Sequence, residues 1–140
     1  MKQSVALEIH DDTGPERILL VQRPDDDEDL PGGVWGLPAA SLTAREGWEA
    51  AARRAAREKL GLEVEPGRVL NEGSRQRAAY RIDMRLYEAT IRSGTPELDG
   101  PLSAGTTRYQ DWRWGTVDDL RPAAEQGSLC ARLALEQQMT

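Results

Sequence analysis

Residues 44–62 read AREGWEAAARRAAREKLGL, and the fold turns on what this stretch forms. It is rich in alanine, the strongest helix former. Trp48, Ala51, Ala52, Ala55 and Leu60 recur at spacings near 3.6 and make one apolar stripe. Glu49, Arg53, Arg54, Arg57 and Glu58 fall on the polar side. The spacing predicts a helix over residues 48–60, starting after Gly47. Gly61 is placed to end it in a left-handed conformation. Alanine side chains on the buried stripe would let this helix approach a neighbouring sheet closely.

Working outward, residues 5–9 alternate apolar and polar, and residues 17–23 (RILLVQR) are rich in branched apolar types. Gly14-Pro15 between them marks a turn, so the reading is two strands joined by a short loop. PDDDEDLPGG (24–33) is an acidic loop, solvated as charge runs usually are. VWGLPAASL (34–42) is a short strand-like piece. Residues 64–70 and 80–91 read as strands, with NEG (71–73) as a turn after the first. TRYQDWRWG (107–115) is a further strand, with Trp112 and Trp114 on one face. Thr116 followed by Asp119 resembles a helix cap before a last helix to about Gln138, which Gly127 interrupts or bounds. The order of strands, helix, strands, helix gives an α+β fold with a mixed sheet between helices.

Composition narrows the function classes. The 140 residues suit a single domain, 1–140. A net charge of −6 argues against bulk attraction to nucleic acid or an anionic membrane. No apolar run approaches the ~18 residues of a membrane span. The start, MKQSVALEIHDD, lacks the apolar core and cleavage site of a secretory signal. Cys130 is the one cysteine, which excludes an internal disulfide and fits a reducing, cytoplasmic setting. It lies in an apolar helical stretch, so packing is its expected role. His10 is expected at the surface. With no phenylalanine present, the four tryptophans must supply much of the aromatic core, and a ring face is also suited to a nucleobase. Arg75, Arg77, Arg81 and Arg85 include alternating members that would share a strand face. Such a face either binds phosphate by bidentate contacts or is simply solvated.

The opening stretch resembles the Nudix box, G-x5-E-x7-R-E-U-x-E-E-x-G-U, with U aliphatic. With Glu46 at the first glutamate, Arg54, Glu58, Gly61 and Leu62 match without a gap. Ala40 replaces the first glycine, Ala55 the glutamate after the arginine, and Lys59 the last glutamate. LLVQRP and WGLP before the box, and DWRWGTVDDL after it, extend the resemblance across nearly the whole chain. The resemblance implies an α/β/α sandwich with a mixed sheet, a nucleotide-type small-molecule partner, and Mg²⁺ or Mn²⁺ as cofactor. It leaves a homodimer open. Glu46, Arg54 and Gly61 would support the box, and Glu58 would be the catalytic carboxylate and a metal ligand. Family enzymes often recruit a carboxylate from outside the box, for which Glu72 is the candidate.

The chemistry explains why the departures matter. Diphosphate hydrolysis uses a divalent ion to neutralise phosphate oxygens and position water, and Mg²⁺ takes oxygen ligands. Positions 55, 58 and 59 are helical neighbours, and in the family all three are glutamate. Here the formal charge of that patch changes from −3 to 0. A unit-charge contact at 4 Å is worth on the order of 4 kcal/mol at an effective dielectric near 20, so Lys59 should weaken metal binding severely. Two expectations follow. One is a Nudix-type hydrolase cleaving a nucleoside diphosphate linked to another group, with altered or weak metal-dependent catalysis. The other is an inactive Nudix domain that binds a nucleotide or a protein.

Overall fold

The computed structural model describes residues 2–11, 14–22, 34–76, 79–98 and 109–138. The acidic run at 24–33 and Arg77 lie outside them. Strands β1 (Lys2–Asp11), β2 (Gly14–Gln22), β3 (Trp35–Gly36) and β4 (Ala39–Ser41) precede α1 (Trp48–Leu60). Then come β5 (Glu63–Gln76), β6 (Arg81–Ser93) and β7 (Asp111–Gly115). A short 3-10 turn (Val117–Leu120), α2 (Arg121–Glu125) and α3 (Leu129–Gln138) complete the described chain.

The strands form one mixed sheet in the order β3-β2-β1-β6-β5, with β4 also pairing β1 and β7 also pairing β2. β1 and β6 run parallel from Lys2↔Ile82 to His10↔Thr90, and the other pairings are antiparallel. Alternation along β1 and β2 divides the core between the two faces. Val5, Leu7, Ile9, Leu19 and Val21 pack with the alanines of α1. Ala6, Ile18 and Leu20 pack with Leu120, Ala123, Leu129 and Leu133 from the opposite helices. The result is the α+β sandwich with helices on both faces that the sequence predicts.

Several elements differ from the sequence reading, each for a physical reason. The piece at 34–42 is two strands, because β3 pairs with β2 and β4 with β1. The NEG segment is no turn. β5 continues through it in register with β6, pairing Glu72↔Arg85 and Gly73↔Met84. Gly73 is needed for close approach, since a Cβ there would sit 2.9 Å from Leu133 Cδ2. Cross-strand pairing has overridden local turn chemistry. The final helix, by contrast, is interrupted at Gly127 and runs to Gln138 as the sequence predicts. Gly127 takes a positive φ of 97° between α2 and α3, and the Thr116 amide donates to Asp119 Oδ2 at 3.0 Å at the 3-10 turn before them. His10 is half-buried, with Nε2 3.2 Å from Oε1 of the buried Glu8. Cys130 is buried, as expected of a packing residue. Trp112 and Trp114 share a face, edge to face at 6.5 Å between ring centroids.

The tightest glycine in the sheet is Gly115, where a Cβ would lie 2.5 Å from Leu20 Cδ1 and 2.6 Å from Asp119 Oδ2. Leu20 is fully buried and has no room to yield. Gly115→Ala should therefore cost about 1–3 kcal/mol. Gly36→Ala, with nothing within 4 Å of the new Cβ, should change little. Thermal melts compare them, and equal melting temperatures would refute this account of the β2–β7 junction.

Candidate functional site

The site is built on α1. Gly47 is its N-cap, and Ala51 N–H donates to Gly47 O at 3.0 Å. Glu49 in the first turn suits the positive helix terminus. Gly61 ends the helix with φ 65°, and the carbonyls of Arg57 and Ala56 accept from the amides of Gly61 and Leu62, both at 3.1 Å. Ala51, Ala52, Ala55, Ala56 and Leu60 are buried against the sheet, which leaves the side bearing Arg54, Glu58 and Lys59 beside β4.

Glu46 and Arg54, expected from the resemblance to support the box, are hydrogen-bonded to one another. Arg54 Nε donates to Glu46 Oε2 at 2.8 Å and Nη2 to Oε1 at 3.0 Å, a bidentate pair. Nη2 also donates to Ser41 O at 2.7 Å. Glu46 Oε1 accepts from Thr43 N–H at 3.0 Å, closing the turn before the helix. Arg45 within that turn has φ 67°, a strained value for a residue with a side chain. The bonds around Glu46 hold it there. The Arg54 hydrogen bond is the main cause holding the Glu46 carboxyl below the ordinary glutamate range, against the opposing effect of burial. The same pairing raises Arg54.

Glu58 Oε2 lies 3.5 Å from Arg54 Nη1, so the one carboxylate of the patch faces a guanidinium. Ala55 is 1% exposed and belongs to the core. Lys59 turns back toward β4. Its Nζ donates to Ala39 O and, at 3.4 Å, to Tyr109 Oη, and it lies 5.0 Å from the Tyr109 ring centroid. Tyr109 is buried, its hydroxyl accepting from Ala39 N–H at 3.0 Å and donating to Ala39 O at 3.3 Å. Beyond Tyr109 opens a cleft of ≈ 540 Å³ lined by Pro96, Glu97, Leu98, Gln110, Asp111 and Trp112. Glu97 N–H donates to Leu60 O at 2.7 Å, which fixes one wall to the end of α1.

Glu72 sits elsewhere. It pairs with Arg85 at 3.4 Å, and Arg85 stacks 4.5 Å from the Trp48 ring centroid at the start of α1. Trp48 and Glu58 are separated by about 15 Å along the helix axis, so Glu72 and Glu58 attach to opposite ends of α1. Among the described residues, no three acidic, histidine or cysteine side chains are grouped to hold a metal ion. The described residues around Glu58 and Lys59 do not fit a divalent cation. Glu58 is shared with Arg54, and the Ala39 carbonyl is held by an ammonium. Of the arginines, Arg81 pairs with Asp83 at 3.1 Å, Arg85 with Glu72, and Arg75 packs against Gly127. Tyr109 and Ala39 were not legible as site residues, because 70 positions separate these hydrogen-bonded partners.

This sheet, the box helix and its Glu46–Arg54 brace define a Nudix-type domain. The NUDIX domain family model matches residues 2–133, and the chain belongs to that family. Among solved structures, it is similar to a NUDIX hydrolase from Nitrosomonas europaea, with TM-score 0.73 and 17% identity over 99% of this chain and 88% of that one. A MutT NUDIX hydrolase from Burkholderia pseudomallei matches with TM-score 0.68 and 28% identity over 91% and 98%. An ADP-ribose pyrophosphatase from Streptococcus suis matches with TM-score 0.60 and 22% identity over 94% and 90%. No curated protein matches the chain.

The lowered Glu46 carboxyl carries a pH signature. Its contribution to stability is complete above the unfolded value near ~4.3 and is lost as pH falls through the lower folded value. Glu46→Gln should cost about 1–3 kcal/mol at pH 7. The gap from the parent should close as pH drops below ~4. Melts across pH 2.5–7 test this, and a gap that persists undiminished at the acid end would overturn it.

Proposed function

We propose that this domain takes a nucleotide-type diphosphate compound beside α1 and Tyr109, and that its metal-dependent hydrolysis is weak. The observation that carries this reading is the Lys59 ammonium, fixed on Ala39 O and Tyr109 at a position where the family pattern has a metal-binding glutamate. Membership of the NUDIX family supports the reaction class, and the similar structure described as an ADP-ribose pyrophosphatase supports the substrate class. The cleft next to Tyr109 is lined by Trp112 and Gln110, a ring and an amide suited to the nucleoside part of such a ligand. Glu58 is the catalytic carboxylate in this reading, and residual turnover depends on it. Glu72, engaged by Arg85, contributes to substrate or metal only if that pair opens.

A second reading, binding without hydrolysis, is favoured by the Arg54–Glu58 contact, which engages the one carboxylate of the patch. Single-turnover and steady-state assays on ADP-ribose and UDP-sugars with Mn²⁺ separate the two. The expected kcat is about 100-fold or more below an ordinary ~10 s⁻¹, and Glu58→Gln should remove it. Binding with no measurable turnover would establish the second reading. A kcat near ~10 s⁻¹ that survives Glu58→Gln would overturn both.

A further inference from the structure

We infer that the Lys59 ammonium is a resident cation that takes the place of a divalent ion, tying α1 to β4 and presenting its charge to the phosphate of the ligand. The phosphate half rests on the nucleotide reading proposed above. The placement half does not.

A lysine on an ordinary helix surface extends its flexible, strongly hydrated head into water. Lys59 does the opposite. Nζ is folded back onto a backbone carbonyl and a tyrosine hydroxyl, beside the ring of a buried residue. Both contacting atoms are oxygens, the donor type that a hard cation selects. The hydroxyl is held in position by two further bonds to Ala39, one through N–H and one through O. This oxygen pocket therefore has a fixed geometry before any ligand arrives, and a positive charge fills it.

Glu46 and Glu58 both pair with the Arg54 guanidinium, while the Lys59 ammonium is held by Ala39 O and Tyr109. A divalent ion at the same place would meet the ammonium directly, and among the described residues no group of three acidic, histidine or cysteine side chains stands ready to hold it. An ammonium has three donors, and two are directed to Ala39 O and Tyr109. The third suits a phosphate oxygen, for which lysine acts as a point charge. Diphosphate binding should then need no added metal.

Two measurements test this. In thermal melts, the parent should be insensitive to millimolar Mn²⁺. Lys59→Glu should melt lower without metal and recover several degrees with it, because a second carboxylate joins Glu58 and the Ala39 carbonyl. Equal Mn²⁺ stabilisation of both proteins would overturn the placement. In calorimetry with ADP, the parent should bind equally, within about threefold, in EDTA and in Mg²⁺. Lys59→Gln should lose about tenfold or more, and Lys59→Arg should retain most of the affinity. An absolute need for Mg²⁺, or unchanged affinity in Lys59→Gln, would overturn the phosphate role. Should ADP bind in neither buffer, the nucleotide reading fails along with the phosphate role, and the melts still decide the placement. If Lys59→Glu does not fold, Lys59→Gln melted with and without Mn²⁺ replaces it. A stable Lys59→Gln protein that is indistinguishable from the parent would reject the tie to β4.

Discussion

The depth at which α1 lies on the sheet governs everything around it. Ala51, Ala52, Ala55 and Ala56 present only methyl groups to Val5, Leu7, Ile9, Leu19 and Val21, so the helix backbone rides close to the strands. At that depth Arg54 reaches Ser41 O and Lys59 reaches Ala39 O, both on β4. A larger residue on this face would lift the helix and stretch both contacts together. Close packing of this kind transmits small volume changes over several residues. The brace and the cationic hook are thus downstream of four small side chains.

With the helix set in place, charge decides what the site holds. A cluster of three carboxylates repels itself until a metal arrives, and its order depends on that ion. The arrangement here is self-satisfied. Glu46, Arg54 and Glu58 form a chain of ion pairs, and Lys59 closes the end on oxygen atoms. Family membership and a changed electrostatic solution therefore coexist in the same helix, which is why fold and activity need separate arguments.

The parts legible in sequence were those specified by neighbours along the chain. Gly47 and Gly61 bound α1, the alanine stripe marks its buried face, and eight positions separate Glu46 from Arg54 within one loop and helix. Gly127 signalled a break and Thr116 with Asp119 a cap, because each acts within a few residues. What escaped depends on distant pairing. The NEG segment has the composition of a turn, yet β6 holds it as strand. His10 follows a strand end and reads as exposed, yet the buried Glu8 receives it. The environment of Lys59 comes from residues 20 and 50 positions away. A pattern read along a single chain specifies charge at position 59, and only the fold specifies where that charge points.

The parallel ladder between β1 and β6 has a consequence for how the molecule assembles. Each residue from Lys2 to His10 meets a partner 80 positions later. β1 is also the strand that β2, β4 and β6 all share, so the sheet cannot close until most of the chain is available. Non-local pairing of this kind slows folding. During synthesis the apolar run of β1 emerges before β6 and waits for it, with Val5, Leu7 and Ile9 lacking the cover they have in the folded state. The local β1–β2 hairpin shields one edge in that interval, leaving the other open to wrong partners. The same central strand that organises the finished domain is its point of greatest exposure while it forms.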